Sequence, residues 1–199
     1  MNVRDIRVSE HRRADHPVLP IFIDRWSPRA MSGDPLTRDE LDRLFEAARW
    51  APSSYNEQPW RILYATRDSA HWPDFLHLLM DLNKAWCVNA GALFLFVSKK
   101  TFSHNGAPNA VHVFDCGSAW ENLALQGASM GLVTHGMAGF DRDRARKTLH
   151  IPDDFEICAM AAAGKPGDTE DLSEAMRTRE VPSGRKKIEE FTMEGPFKG

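Results

Sequence analysis

The sequence is poor in cysteine. It has three cysteines among 199 residues, at positions 87, 116 and 158, and no C-x-x-C pair. An odd number of widely spaced thiols argues against a disulfide scaffold and is typical of reduced thiols in a reducing compartment. The simplest interpretation is that all three are small, buried hydrophobic residues. The eight histidines form neither H-E-x-x-H nor a Cys/His ligand spacing, so no metal site is predicted.

Long apolar runs are absent as well. No segment reaches the roughly 18 to 20 apolar residues that a membrane-spanning helix needs. The opening residues, MNVRDIRVSEHRRADHP, are charged where a secretory signal would be apolar. We therefore expect a cytoplasmic protein that does not bind membranes. The net charge of −3 produces no global field that would recruit nucleic acid, so any anion site must be built locally.

The common nucleotide-binding and hydrolase motifs are also missing. No G-x-G-x-x-G follows a strand, and AAAGKPGD lacks the upstream glycine and the hydroxyl residue of a P-loop. There is no G-x-S-x-G elbow, and the sequence places no histidine beside Ser53 or Ser54. A Rossmann domain, a P-loop enzyme and a serine hydrolase are therefore all disfavoured.

The remaining composition is that of an ordinary globular protein, with 42% apolar and 27% charged residues. The length of 199 residues suits one domain with its own core. We predict an N-terminal extension over residues 1–20 and a single domain over residues 21–199.

Several elements can be predicted from local patterns. Thr37 and Glu40 have capping-box spacing ahead of an apolar stripe, which predicts a helix over residues 38–50. An almost entirely apolar helix over residues 113–130 ends at Gly131, and Asp141 caps a short helix. The other predictions are a helix at WPDFLHLLMDLN, strands at RILYAT, AGALFLFVSKK and FEICAMAAAG, a loop at APSSYNEQPW, a turn at KPGD and an extended C-terminal arm. Helices and strands mix without βαβ repetition, which favours an α+β fold.

The segment IDRWSPRAM carries the clearest chemical pattern. It places Arg25 and Arg29 four residues apart, with Ser27 between them. Two guanidinium groups this close repel each other unless an anion lies between them. The alternative is a solvated basic face near a helix start. We interpret the segment as part of an anion site.

Four segments taken together resemble the FMN-dependent nitroreductase family: RWSPRAM, AARWAPSSYNEQPWRI, THGMAGFD and GRKKIEEF. The resemblance runs from about residue 16 to the C-terminus. It implies a nitroreductase-like α+β fold, with a central mixed or antiparallel sheet, flanking helices and extended N- and C-terminal arms. It further implies a homodimer that binds FMN at the subunit interface and uses NAD(P)H as electron donor.

The resemblance also implies roles for individual residues. Arg25 and Ser27 would face the FMN phosphate, which Arg185 and Lys187 would reach from another part of the dimer. Arg29 would lie near the pyrimidine edge and stabilise the reduced flavin, and the backbone at Ala138 and Gly139 would face N5. The complete cofactor-binding set implied is Arg25, Trp26, Ser27, Arg29, Pro52, Ser53, Ser54, Asn56, Gln58, Asn83, Met137, Ala138, Gly139, Arg185 and Lys187.

The expected function is hydride transfer from NAD(P)H through flavin N5 to a nitroaromatic, quinone or enone by a ping-pong mechanism. Many relatives carry an acidic or amide side chain near the THGMAGFD segment, whereas Gly136 and Ala138 bring none, which leaves the acceptor open. The alternatives are a flavin reductase or specialised pathway reductase on the same fold, or a non-catalytic FMN-binding protein.

Overall fold

The computed structural model describes residues 1–197, and the last two residues of the predicted C-terminal arm lie outside this range. Helices and strands alternate irregularly within it, as an α+β fold requires. The helices are α1 Pro20–Asp24, α2 Arg38–Arg49, α3 Trp72–Leu78, α4 Asp81–Cys87, α5 His112–Ser129, α6 Arg142–Thr148 and α7 Glu174–Arg177. The strands are β1 Trp60–Thr66, β2 Ala92–Lys99, β3 Val133–Met137 and β4 Phe155–Gly164.

The four strands form one sheet in the order β1-β2-β4-β3, and every neighbouring pair is antiparallel. The two central strands are covered on both faces, so their apolar residues are continuous rather than alternating. Leu93, Leu95 and Val97 point toward α3, α4 and α6, while Phe94 and Phe96 point toward α2 and α5. The predicted α+β fold is confirmed, and its sheet is antiparallel.

The predicted capping box forms at the start of α2. The Thr37 hydroxyl accepts from the backbone N–H of Glu40 at 3.2 Å, and the Glu40 carboxylate accepts from the backbone N–H of Thr37 at 2.7 Å. Both free N–H groups are thereby satisfied. The apolar stripe behind the cap buries Leu41, Leu44 and Ala48. This helix is confirmed to within one residue of its predicted end.

The prediction of one helix for WPDFLHLLMDLN was wrong, because the chain breaks between α3 and α4. Leu79 bridges to Phe140, and the backbone N–H of Met80 donates to the carbonyl of Gly139 at 3.1 Å. Pairing with the segment after β3 thus replaces the helical hydrogen bonds at the break. That segment follows a strand, β3, which was not predicted.

The prediction of a turn at KPGD was also wrong, since the chain stays extended beyond β4. Met31 pairs with Pro166 and Asn2 pairs with Asp168. A Cβ on Gly167 would lie 2.3 Å from the carbonyl carbon of Met31, so the two backbones approach too closely for any side chain there. Backbone segments on both sides supply hydrogen-bond partners for this stretch, so no turn forms.

Residues at the N-terminus pack against the same extended segment. Val3 is buried in the core, and its N–H donates to the carbonyl of Gly167 at 3.1 Å. The predicted boundary at residue 20 stays a prediction. At the other end, residues 183–197 are exposed and contact the N-terminal arm. The predicted extended arm is interrupted by a 3-10 turn at Ile188–Glu190. No helix within residues 1–197 combines the length and apolar character needed to cross a bilayer.

Candidate functional site

A cavity of about 550 Å³ lies beside edge strand β3 and gathers several of the predicted residues. Arg25, Trp26, Ser27 and Arg29 line it from the segment after α1, and Arg185 lines it from the C-terminal arm. The Arg25 guanidinium lies 3.4 Å from the Ser27 hydroxyl and 3.5 Å from the Glu121 carboxylate on α5. The structure therefore brings together basic residues that are about 160 positions apart in sequence.

Arg12 joins this cavity and was not singled out from the sequence. Its guanidinium donates to the carbonyl of Ser183 at 2.7 Å and to those of Ile23 and Arg25 at 2.9 and 2.8 Å. Burial lowers the pKa of Arg12, and the positive charges of Arg185 and Arg25 lower it further. Arg12 thus ties both arms to the arginine segment. In the sequence it is indistinguishable from the rest of a charged run.

The cavity carries an excess of positive charge. Arg179 also lines it, so five arginines line this space. Two of them are paired with carboxylates, Arg25 with Glu121 and Arg29 with Glu180. Like charges at this density are tolerated only beside an anion or in water. The arrangement suits a ligand with a doubly charged anionic group.

Glu180 is the acid that holds the arginine segment, and it was also missed from the sequence. Its carboxylate has no exposed surface. One oxygen accepts from the backbone N–H groups of Arg29 and of Ala30, the latter at 2.9 Å, and the other lies 3.3 Å from the Arg29 guanidinium. A buried carboxylate persists only when it is paired and hydrogen-bonded, as here.

His135 supports the same segment from β3. Its Nδ1 lies 2.9 Å from the carbonyl oxygen of Pro28, which can only accept, so Nδ1 carries the proton. The ring packs on Trp86 with centroids 4.7 Å apart. Burial lowers the pKa of His135. The imidazole is thus a neutral donor that fixes the backbone between Ser27 and Arg29.

A second group of predicted residues lies at the end of β3. The Asn83 side-chain amide donates to the carbonyl of Gly139 at 3.0 Å, and a Cβ on Gly139 would come within 2.7 Å of that amide nitrogen. The backbone N–H groups of Ala138 and Gly139 donate to nothing within residues 1–197. Met137 is buried, with its sulfur 3.5 Å from the thiol of Cys87. Two free donors are therefore available beside a fixed amide.

The loop with the predicted residues Pro52, Ser53, Ser54, Asn56 and Gln58 does not reach the arginine cavity. It precedes β1, which is the opposite edge of the sheet from β3. The backbone N–H of Ser54 donates to Asp115 on α5 at 3.2 Å, which anchors the loop. Its Tyr55, Asn56 and Gln58 have φ angles of 51°, 53° and 50°. Such left-handed conformations outside glycine are strained and cluster at functional sites.

Lys187 also lies outside the arginine cavity. Its ammonium group lies 3.1 Å from the carboxylate of Asp15, and this hydrogen bond and charge raise the pKa of Lys187. It lines a separate space of about 710 Å³ between the N- and C-terminal arms. Its predicted contact with the phosphate stays a prediction, as do the roles of the other predicted residues. Within residues 1–197, no group of three or more His, Cys, Asp or Glu side chains could hold a metal ion.

Comparison with known proteins gives consistent matches. The model of the nitroreductase family matches residues 23–85 and 72–165. A crystal structure described as an oxidoreductase containing FMN is 44% identical to this chain, with a TM-score of 0.91; the match covers 94% of this chain and 96% of that one. An Archaeoglobus fulgidus protein whose name gives it as a candidate NADH dehydrogenase/NAD(P)H nitroreductase is 26% identical over 166 residues, which is 79% of this chain and 90% of that protein.

A more distant structure shares the fold. A candidate nitroreductase in complex with FMN, from Desulfovibrio desulfuricans, is 22% identical, with a TM-score of 0.71 over 93% of this chain and 100% of that chain.

Removing the carboxylate of Glu180 should destabilise the protein strongly. Glu180→Ala leaves two backbone N–H groups and a guanidinium without their partner, and breaking such a buried pair costs about 3–5 kcal/mol. The free energy of unfolding from urea titration measures this. Glu170→Ala is the matched control, because its ion pair with Arg177 is exposed and contributes at most about 1 kcal/mol. Equal losses in the two variants would contradict the importance assigned to Glu180.

Proposed function

Because the chain belongs to the nitroreductase family, we propose that it is an FMN-dependent oxidoreductase that passes hydride from NAD(P)H to a nitroaromatic, quinone or enone acceptor. The 44% identical oxidoreductase containing FMN supports the cofactor. The observation that carries the proposal is that five arginines from distant segments line one cavity.

The residues of the cavity fit FMN chemically. The FMN phosphate carries about two negative charges, and hydrogen bonds to charged groups contribute roughly 1.5–3 kcal/mol each. A volume of about 550 Å³ lies within the roughly 300–1,000 Å³ typical of ligand pockets. Arg25, Ser27 and Arg185 hold the phosphate in this proposal. Arg12 keeps their segments together through its three carbonyl contacts.

The remaining residues serve the ring system. When bound, FMN supplies a two-electron carrier that takes hydride from NAD(P)H at N5 and gives it to the acceptor in a ping-pong cycle. Arg29 would supply a fixed positive charge beside the pyrimidine edge, where negative charge builds on reduction. The free N–H groups of Ala138 and Gly139 would donate toward N5. The Asn83 side chain, fixed by its hydrogen bond to Gly139, would present its second amide N–H and its carbonyl oxygen to the ring edge.

We further propose that a second copy of the chain completes the site. Within one chain, the Pro52–Gln58 loop and the arginine cavity lie at opposite edges of the sheet. Large apolar side chains are exposed near that loop: Tyr55 at 85%, Phe114 at 77% and Trp50 at 71%. Apolar surface of this kind suits an interface. In the proposed homodimer, the loop of the partner subunit covers the ring.

The direct test of this function is an absorption spectrum of the purified protein, followed by anaerobic titration with NADH and NADPH. We expect flavin bands that bleach on addition of either nucleotide and recover when a nitroaromatic or quinone is added. Protein that remains colourless after reconstitution with FMN would refute flavin binding. Yellow protein that never bleaches would be a binding protein without turnover. Faster turnover with added free FMN than with a nitroaromatic would indicate a flavin reductase.

Replacing Arg29 should affect reduction more than binding. Arg29→Ala removes the positive charge that stabilises the reduced flavin, so the flavin potential should become more negative and kcat should fall by roughly 100-fold. Spectroelectrochemistry and stopped-flow reduction measure the two effects. Arg43→Ala, an exposed arginine on α2 that pairs with Asp39, is the control. An unchanged potential in Arg29→Ala would refute this role.

Mixed dimers test whether the partner subunit contributes the loop. One subunit carries Arg25→Ala and Arg29→Ala, and the other carries Asn56→Gly and Gln58→Gly, which delete the amides yet keep the left-handed backbone. Neither homodimer should bind FMN tightly, whereas mixed dimers should recover half of the tight sites, measured by fluorescence titration. Mixing the arginine variant with unmodified chain is the control. Mixed dimers without any tight site, or a monomer in sedimentation, would contradict the shared site.

A further inference from the structure

His135 is a titratable side chain in the wall of the arginine cavity. It lines that space together with Ser27, Arg29 and the other four arginines. Its place on edge strand β3, opposite Ala162 of β4, holds it on the sheet rather than on a loop. Among the described residues that line the cavity, it alone has a side chain that ordinarily changes its charge near neutral pH.

The imidazole ring can gain a charge without moving. Its Nδ1–H donates to the carbonyl of Pro28 at 2.9 Å, and Trp86 packs against the ring with centroids 4.7 Å apart. A second proton would be carried by Nε2, because Nδ1 is already protonated. Protonation therefore leaves the bond to Pro28 intact and adds one positive charge at a fixed place.

The groups around the ring oppose that charge in part. Burial lowers the pKa of His135, and the positive charge of Arg29 acts in the same direction, whereas the carboxylate of Glu180 and two backbone carbonyls act against them. The neighbours from α4 and β4, Trp86 and Ala162, carry no charge. The other charged residues that line the cavity are Arg12, Arg25, Arg179 and Arg185. Positive charge thus surrounds a neutral imidazole.

A dianion in the cavity would reverse this balance. Negative charge beside a histidine favours the imidazolium form, so the pKa of His135 would be higher in the complex than in the free protein. By linkage, the extra affinity is fully present below the pKa of the free protein and is lost as the pH rises through the pKa of the complex. Each pKa unit between the two states corresponds to about tenfold in affinity.

We propose that His135 takes up a proton from solvent when a dianionic group enters the arginine cavity, so that the cavity binds dianions more tightly in mild acid than in mild alkali. This inference rests on the anion site of the proposed function and adds a means of regulating it. Arginine remains charged throughout the neutral range, so the five guanidinium groups contribute no comparable pH dependence.

Sulfate tests the proposal, because it has the charge of a phosphate dianion and does not titrate near neutral pH. Isothermal titration calorimetry of the full-length chain, freed of any copurified flavin, gives the affinity. We expect sulfate to bind about tenfold more tightly at about pH 5.5 than at about pH 8. At about pH 6.5, the heat of binding should differ between buffers of unequal ionisation enthalpy, by the amount that corresponds to proton uptake.

Two variants assign the proton to one residue. His135→Asn can still donate an amide N–H to Pro28 but cannot gain a charge, so its sulfate affinity should be nearly the same at both pH values. His16→Asn is the matched control. His16 is exposed and lines the separate space between the two arms, so this variant should keep the full pH dependence.

Three results would overturn the proposal. The first is sulfate binding by the unmodified chain without proton uptake, which does not require any variant to fold. The second is a His135→Asn variant that keeps the pH dependence of the unmodified chain. Both results leave the flavin spectrum and its bleaching unaffected, so they are distinct from failure of the proposed function. The third, no sulfate binding at either pH, would remove the anion site as well.

Discussion

One buried carboxylate holds the candidate site together. Glu180 accepts from the backbone N–H groups of Arg29 and Ala30 and pairs with the Arg29 guanidinium. A carboxylate without exposed surface is stable only where donors converge, and clustered guanidinium groups are stable only near negative charge. The contact between Glu180 and Arg29 gives the carboxylate its donors and gives the guanidinium group its negative charge. It also fixes the orientation of the long and otherwise flexible Arg29 side chain beside the cavity.

The backbone around this contact is fastened on several sides. Beyond Arg29, Met31 pairs with the extended segment after β4, and before it the neutral His135 holds the carbonyl of Pro28. Arg12, from the N-terminal arm, donates to carbonyls of the C-terminal arm, of α1 and of the arginine segment. Charged groups that are held in place before a ligand binds lose little entropy on binding. The cavity is therefore organised by the fold rather than by its ligand.

The topology of the sheet separates two groups of the predicted residues within one chain. The cavity and the free N–H groups flank β3, whereas the strained loop precedes β1 at the other edge. The loop is nevertheless well anchored, through Asp115 on α5 and its own amides. Strain that is maintained in an ordered loop is typical of functional positions. In the proposed homodimer, the loop of a second copy would complete the site beside β3.

Local chemistry determined what the sequence alone could establish: the capping box of α2 and the buried central strands. The anion site at Arg25, Ser27 and Arg29 stays a prediction. The four family segments added the candidate cofactor and residues. Tertiary structure alone decided the rest. The helix break at Leu79, the extended KPGD segment and strand β3 depend on backbone partners from remote parts of the chain. The contacts of Glu180 and Arg12 depend on which distant residues the fold brings together. The local sequence does not reveal these contacts, because each of them forms only when distant segments pack together.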